Sequence, residues 1–166
     1  MEREHVTHTF PPFYDSRSRI LILGSFPSVK SREQGFYYGH PRNRFWELLA
    51  LLREEEIPRT LPEKRAFLSR NGIALYDVIE ECDISGSSDS SIRHVKPADL
   101  EVILRSADIR CVFANGKTAE AMYLKYQRPL TGRDIVGLPS TSPANAAWTV
   151  EKLHKKWAVI NTWLTE

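Results

Sequence analysis

The chain has 166 residues, 42% hydrophobic and 27% charged, enough to bury one substantial core, and a single domain spanning 1–166 is expected. Lysine and arginine outnumber aspartate and glutamate by 23 to 21, so a net charge of +2 does not by itself announce a nucleic-acid partner, and any basic surface has to be local. Cys82 and Cys111 are isolated thiols without C-x-x-C spacing, which excludes a four-cysteine zinc or iron–sulfur centre.

In chain order, the first strand-like run, 19–23, is short, apolar and stopped by Gly24-Ser25-Phe26-Pro27-Ser28. A dense stretch follows, Gly35-Phe36-Tyr37-Tyr38-Gly39-His40-Pro41-Arg42-Asn43-Arg44-Phe45-Trp46. Its aromatics offer faces for stacking, His40 and Asn43 can orient a water or a leaving group, and Arg42 and Arg44 can neutralise phosphate. A helix over 43–56 sets Phe45, Leu48, Leu49 and Leu52 at helical spacing, and a shorter one over 62–70 opens on Pro62. The second strand, 72–78, ends in Tyr76-Asp77. Residues 83–91, rich in Ser, Gly and Asp, read as a mobile surface loop, a solvated linker before a lid.

A helix over 98–105 carries Leu100, Ile103 and Leu104 behind Pro97. The third strand, 110–114, runs into Asn115-Gly116-Lys117-Thr118 and a helix over 117–126; the fourth, 134–138, runs into Pro139-Ser140-Thr141-Ser142-Pro143-Ala144-Asn145. The last helix, 146–164, has a basic turn of Lys152, His154, Lys155 and Lys156 that reads as a solvated face. No apolar run exceeds strand length, and Met1-Glu2-Arg3-Glu4-His5 is unlike a secretory signal, so a cytoplasmic protein without a membrane span is expected.

Strands alternating with helices predict an α/β chain whose parallel sheet is covered on both faces. All four strands deliver polar or turn residues at their carboxyl ends, where open α/β sheets bind ligands, and one composite site accounts for them together. Single residues keep two readings. Asn43 and Asn115 serve equally as helix caps; Asp77 as a turn residue; His40 as part of a proline turn; Tyr38 as a packed tyrosine.

Gly24-x-x-Pro27, Gly35 and the run His40-Pro41-x-Asn43-Arg44-Phe45-Trp46 resemble the mismatch-specific uracil/thymine branch of the uracil-DNA glycosylase superfamily. The forms Gly24-Ser25-Phe26-Pro27-Ser28 and Gly39-His40-Pro41-Arg42-Asn43 are more similar to its hypoxanthine-DNA (deoxyinosine) glycosylase branch. The resemblance continues through Tyr76-Asp77, Asn115-Gly116-Lys117 and 139–145, nearly the whole chain.

It implies a three-layer α/β/α sandwich on a central four-stranded parallel sheet. It also implies monofunctional hydrolysis of the N-glycosidic bond of a flipped, deaminated base, without metal or cofactor. Hypoxanthine is the first expectation, uracil the alternative. The partner is DNA containing such a base, with the protein a monomer, nucleoid-associated if the source is prokaryotic. Asn43, Asp77 and His40 take catalytic positions. Gly24, Ser25, Phe26, Pro27, Tyr38, Tyr76 and Asn115 surround the base. Arg42, Lys117, Ser140, Thr141, Ser142, Ala144 and Asn145 meet DNA, the last two as the tip that fills the gap left by the base.

One departure stands out. The mismatch branch has an Asn that positions water at the third place of the first motif; Phe26 stands there, able only to wall or stack against the base. Phe26 keeps open a different class, a glycosylase-like module that binds damaged DNA without cutting, and a small nucleotide-binding protein is a third option.

Overall fold

The computed structural model describes residues 3–164; Met1, Glu2, Thr165 and Glu166 lie outside the described residues, and with them the first two residues of the N-terminal stretch and the ends of the 1–166 span. Four strands, β2 (Ile20–Gly24), β3 (Ile73–Asp77), β6 (Cys111–Asn115) and β7 (Val136–Leu138), form a parallel sheet in the order β3-β2-β6-β7. The four expected strands are these, each displaced by a residue or two. Every residue of β2 and β3 is buried, as an unbroken apolar run requires in a strand covered on both faces. Helices flank this sheet, and the three-layer expectation holds.

The helices carry the local signals that start and stop them. In α3 (Leu61–Asn71) Thr60 and Glu63 make a reciprocal capping box, Pro62 lies in the first turn, and Gly72 ends the helix at φ 70°. The helix expected over 43–56 is α2 (Phe45–Arg53), stopped by Glu54 in the left-handed region at φ 55°. Ser28 caps an unforeseen α1 (Val29–Gln34), its hydroxyl accepting from Ser31 N at 3.1 Å. α4 is Glu101–Ser106. The helix expected over 117–126 runs on through α5 (Lys117–Met122), a π turn (Tyr123–Gln127) and α6 (Arg128–Thr131). The one expected over 146–164 begins only after the cap Thr149, as α7 (Val150–Trp157), and is followed by α8 (Val159–Leu164).

A second sheet was not foreseen. β1 (Glu4–Thr7), β4 (Ile79–Ile84) and β5 (Arg93–Pro97) pair antiparallel in the order β1-β4-β5. Only Val78 separates β3 from β4. Its N–H donates to Gly24 O at 2.8 Å, and its carbonyl accepts from the buried Gln127 amide, which also reaches Ala98 O. The π turn therefore staples the two sheets together. The free edge of β3 is covered by Phe13, which exchanges two 2.9 Å hydrogen bonds with Leu75. Among the described residues no helix is long and apolar enough to cross a membrane.

Candidate active site

Strand ends β2, β3 and β6, the 35–43 segment and the loop after β7 enclose a cavity of about 390 Å³. Its wall includes Gly24, Ser25, Phe26, Pro27, Tyr38, His40, Asn43, Asp77, Asn115, Ser140, Thr141, Ser142 and Ala144. Most of the expected site residues thus meet in one recess of ordinary ligand-pocket size.

Backbone N–H groups, which can only donate, fix the orientation of the two asparagines. Asn43 Oδ1 accepts from Phe45 N at 3.0 Å and from the Thr141 hydroxyl at 2.7 Å. Asn115 Oδ1 accepts from Thr141 N, and Asn115 Nδ2 donates to Thr141 Oγ1, both at 3.0 Å. The result is a directed chain, Asn115 to Thr141 to Asn43, which saturates the Asn43 oxygen and leaves its Nδ2 donors to the cavity. Asn43 therefore holds the helix start and serves the cavity at once, so its two readings do not compete. His40 is fixed in the same way: its Nδ1 accepts from Arg42 N at 3.0 Å, so the neutral ring carries its proton on Nε2.

Asp77 is 3% exposed. Its Oδ2 accepts from His8 Nε2 at 2.8 Å, and its Oδ1 lies over Gly24, where any Cβ would collide with it. The cradle thus requires glycine at position 24. Tyr38, in the left-handed region at φ 52°, stacks on Phe45 with centroids 4.0 Å apart. Burial, and then the Asp77 carboxylate, hold its phenol far above the ordinary value, with Asn115 opposing, so it stays a neutral O–H. Phe26 lies edge-on to the His8 ring at 6.0 Å and under the Arg32 guanidinium at 5.6 Å, a wall of the recess.

Several expectations change. Tyr76 does not line the cavity; its ring packs 4.8 Å from His8, and burial, with Glu80, Asp77 and Asp99 behind it, pushes its phenol up to about 12. Thr141, expected at the DNA backbone, is fully buried with its hydroxyl spent on the asparagines, and so positions Asn43 instead. Arg44 does not face phosphate: its guanidinium donates to the carbonyls of Thr141, Ser142, Asn145 and Trp148, a clamp on the whole loop. The Asn145 side chain is likewise turned back onto Ser140 O at 3.0 Å, which leaves Ala144 as the exposed tip lining the cavity. The Ser140 and Ser142 hydroxyls accept from backbone N–H groups of their own loop.

Lys117 is exposed outside the cavity. Arg42 is exposed beside a neighbouring groove shared with His40, Arg59 and Lys64. The 83–91 segment is no plain linker: Ser87 and Asp89 line the cavity, and Ser25 Oγ donates to Asp89 at 2.8 Å. Desolvation raises the Asp89 carboxyl above its ordinary value, with Asp77 adding to the rise and Ser25 opposing it. His8, which bonds Asp77, and Ser31 and Asp89, which line the cavity, were missed. His8 carries no local motif, and 69 residues separate it from its partner.

The profile of the Uracil DNA glycosylase superfamily matches residues 11–164. A protein named hypoxanthine DNA glycosylase from Methanosarcina acetivorans is 32% identical over 155 residues, 91% of this chain and 95% of that one. A protein of the same name from Methanosarcina barkeri is 36% identical over 110 residues, 65% of this chain and 70% of its own length. A solution NMR structure from M. acetivorans, described as a candidate uracil DNA glycosylase, superposes with a TM-score of 0.77 at 29% identity, covering 95% of this chain and 99% of that one. With its four strand-end motifs gathered on one cavity and a superfamily match across nearly its whole length, the chain belongs to the uracil DNA glycosylase superfamily.

Proposed function

We propose that the protein is a monofunctional DNA glycosylase that removes hypoxanthine from deoxyinosine in DNA. The observation that carries this reading is the Asn43 amide: its oxygen is held by Phe45 N and Thr141, so its N–H donors are preorganised toward the cavity. Cleavage of an N-glycosidic bond builds positive charge on the sugar and negative charge on the departing base. Donors fixed where the negative charge appears lower that barrier, and an amide that is a poor proton acceptor serves well here. Asn43 Nδ2 and the His40 Nε2–H donate to the leaving base or hold the attacking water. The Asp77 carboxylate faces the positive charge of the sugar or the edge of the base. The names borne by the two Methanosarcina relatives support hypoxanthine as the base.

The flipped nucleotide enters past Ala144, whose small side chain makes a modest wedge, while Arg42, Lys117, Ser140 and Ser142 meet the backbone. The protein acts as a monomer on DNA in the cytoplasm. Phe26 favours a second reading, binding without cleavage, because the first motif offers no group to orient water. A single-turnover nicking assay decides between them, using labelled oligonucleotides with one deoxyinosine or one deoxyuridine and alkali to cut abasic sites. Release from deoxyinosine is expected; release from deoxyuridine alone assigns uracil; DNA binding with neither release establishes the non-cleaving module.

A further inference from the structure

Among the described residues, the carboxylates that line the cavity are Asp77 and Asp89, and they differ in depth. The Asp77 side chain is 5% exposed, and one of its oxygens is taken by His8 Nε2. Asp89 is exposed, in the short turn Asp89–Ser91 of the β4–β5 loop, with its carboxyl end brought back to the cavity, where Oδ1 accepts from Ser25 Oγ at 2.8 Å. A base bound in the recess leaves its sugar at the mouth, because the sugar stays tied to the strand. Asp89 is thus the carboxylate on the sugar's side.

The loop is tied down around it. Ser87 Oγ accepts from Val29 N at 2.9 Å, and Gly86 O accepts from Arg32 Nη2 at 2.8 Å. Ser91 Oγ accepts from Ser85 N at 2.8 Å and donates to Ser88 O at 2.6 Å. A stretch of serine, glycine and aspartate left to itself stays mobile; these bonds fasten it to α1 and close the turn. Ser25 then joins it to the first motif, one residue before Phe26. Phe26 offers water no hydrogen bond, and the Ser25 hydroxyl spends its proton on Asp89.

We propose that Asp89 is a further catalytic residue, the acceptor that holds the attacking water at the sugar and takes its proton, with Ser25 the positioning residue that fixes its carboxylate. The proposal rests on the glycosylase reading above. Asp89 Oδ2 accepts one hydrogen of the water, which leaves a lone pair of the water oxygen facing C1′. As the O–C1′ bond forms, the C1′–N9 bond breaks and its electron pair leaves with the base. The water proton passes to Asp89 and from there through solvent to the departed base, so that the products are neutral hypoxanthine and an abasic sugar. Exposure suits this role, since a carboxylate in contact with solvent gives up its proton before the next turnover. Desolvation, with Ser25 opposing and Asp77 adding its charge, raises the Asp89 carboxyl above its ordinary value, and a carboxylate so raised is a stronger base.

The test is single-turnover excision from a deoxyinosine oligonucleotide by the full chain, beside binding to the same oligonucleotide carrying 2′-fluorodeoxyinosine, whose glycosidic bond resists cleavage. Wild type is compared with Asp89→Asn, Asp89→Ala and Ser25→Ala, each checked by thermal unfolding. Asp89→Asn keeps an oxygen for the Ser25 hydroxyl but cannot take a proton. Its excision is expected to fall about 10²–10⁴-fold, the range of a positioned base, with affinity retained. Ser25→Ala is expected to lose about tenfold, in keeping with one hydrogen bond. Asp89→Ala, which opens room beside Ser25, is expected to regain excision when formate supplies a free carboxylate, an effect that a residue merely shaping the loop would not show. Wild-type excision by folded Asp89→Asn overturns the proposal. So does a loss of excision matched by an equal loss of affinity, or an Asp89→Ala variant that formate leaves unchanged, since Asp89 would then only shape the mouth. A wild type that binds the oligonucleotide and releases no base overturns the glycosylase reading, and this proposal with it; base release by the wild type confines any failure to Asp89.

Discussion

Asn43 concentrates two roles in one amide. Asn43→Ala removes the cavity donors and one acceptor at the start of α2. Single-turnover excision is expected to fall about 10²–10³-fold, as when one preorganised donor is lost. The unfolding free energy should drop by only about 1 kcal/mol, the cost of the lost hydrogen bond from Phe45 N to the Asn43 oxygen. Wild-type rates in this variant would leave Asn43 as a holder of the helix start alone. Thr141→Val keeps the buried volume and removes the hydroxyl that steers the Asn43 oxygen; excision should fall about tenfold, in keeping with one lost hydrogen bond, with Thr141→Ser closer to wild type. Equal rates in valine and serine variants would remove Thr141 from the chain of orientation. Asn43 was legible because it stands inside a continuous run. Thr141 was misplaced because a threonine between serines in a turn reads as surface, and only the fold reveals that it is fully buried.

The antiparallel sheet was the least legible element. Its strands are short and charged, and register shifts in β4 between Ile79 and Asp83 break the alternation that a regular strand displays. Charge holds its outer face: His5 bonds Asp83 at 2.8 Å and Glu81 at 3.0 Å, and Lys96 reaches Glu80 and Glu81. The bond to Glu81, then that to Asp83, raises the His5 pKa above 6.5. The folded chain therefore holds this proton more tightly than the unfolded chain. The stabilisation is complete below the ordinary histidine value and is lost as pH rises through the raised one. His5 is exposed, so the effect is small and screened by salt. The unfolding midpoint is expected to decline as pH is raised from about 6 to about 8, and His5→Gln to flatten that decline; an unchanged slope would show that the pairs contribute nothing to stability.

Over the whole molecule, the parallel sheet and the gathering of its strand ends were legible because apolar runs ended by glycine and proline are local signals. The linkage of the two sheets was not, since Val78 and Gln127 meet only in the fold. The modest net charge of +2 bears on how DNA is held. With few cations at the mouth, log affinity against log salt should have a slope of about −2 to −4, two to four neutralised phosphates; a much steeper slope would mean that a larger basic face, including Arg59 and Lys64, takes part. The single-residue passage from β3 to β4 carries a further consequence. Val78 is tied on both sides, to Gly24 and to Gln127, so the floor of the recess has no hinge there. A stiff receptacle does not reach into a duplex; the work of opening falls on the nucleic acid, and loosely stacked or unpaired strands start with part of it done. Deoxyinosine in single strands should therefore be processed at least as fast as deoxyinosine in a stable pair, a comparison that a pair of oligonucleotides makes directly.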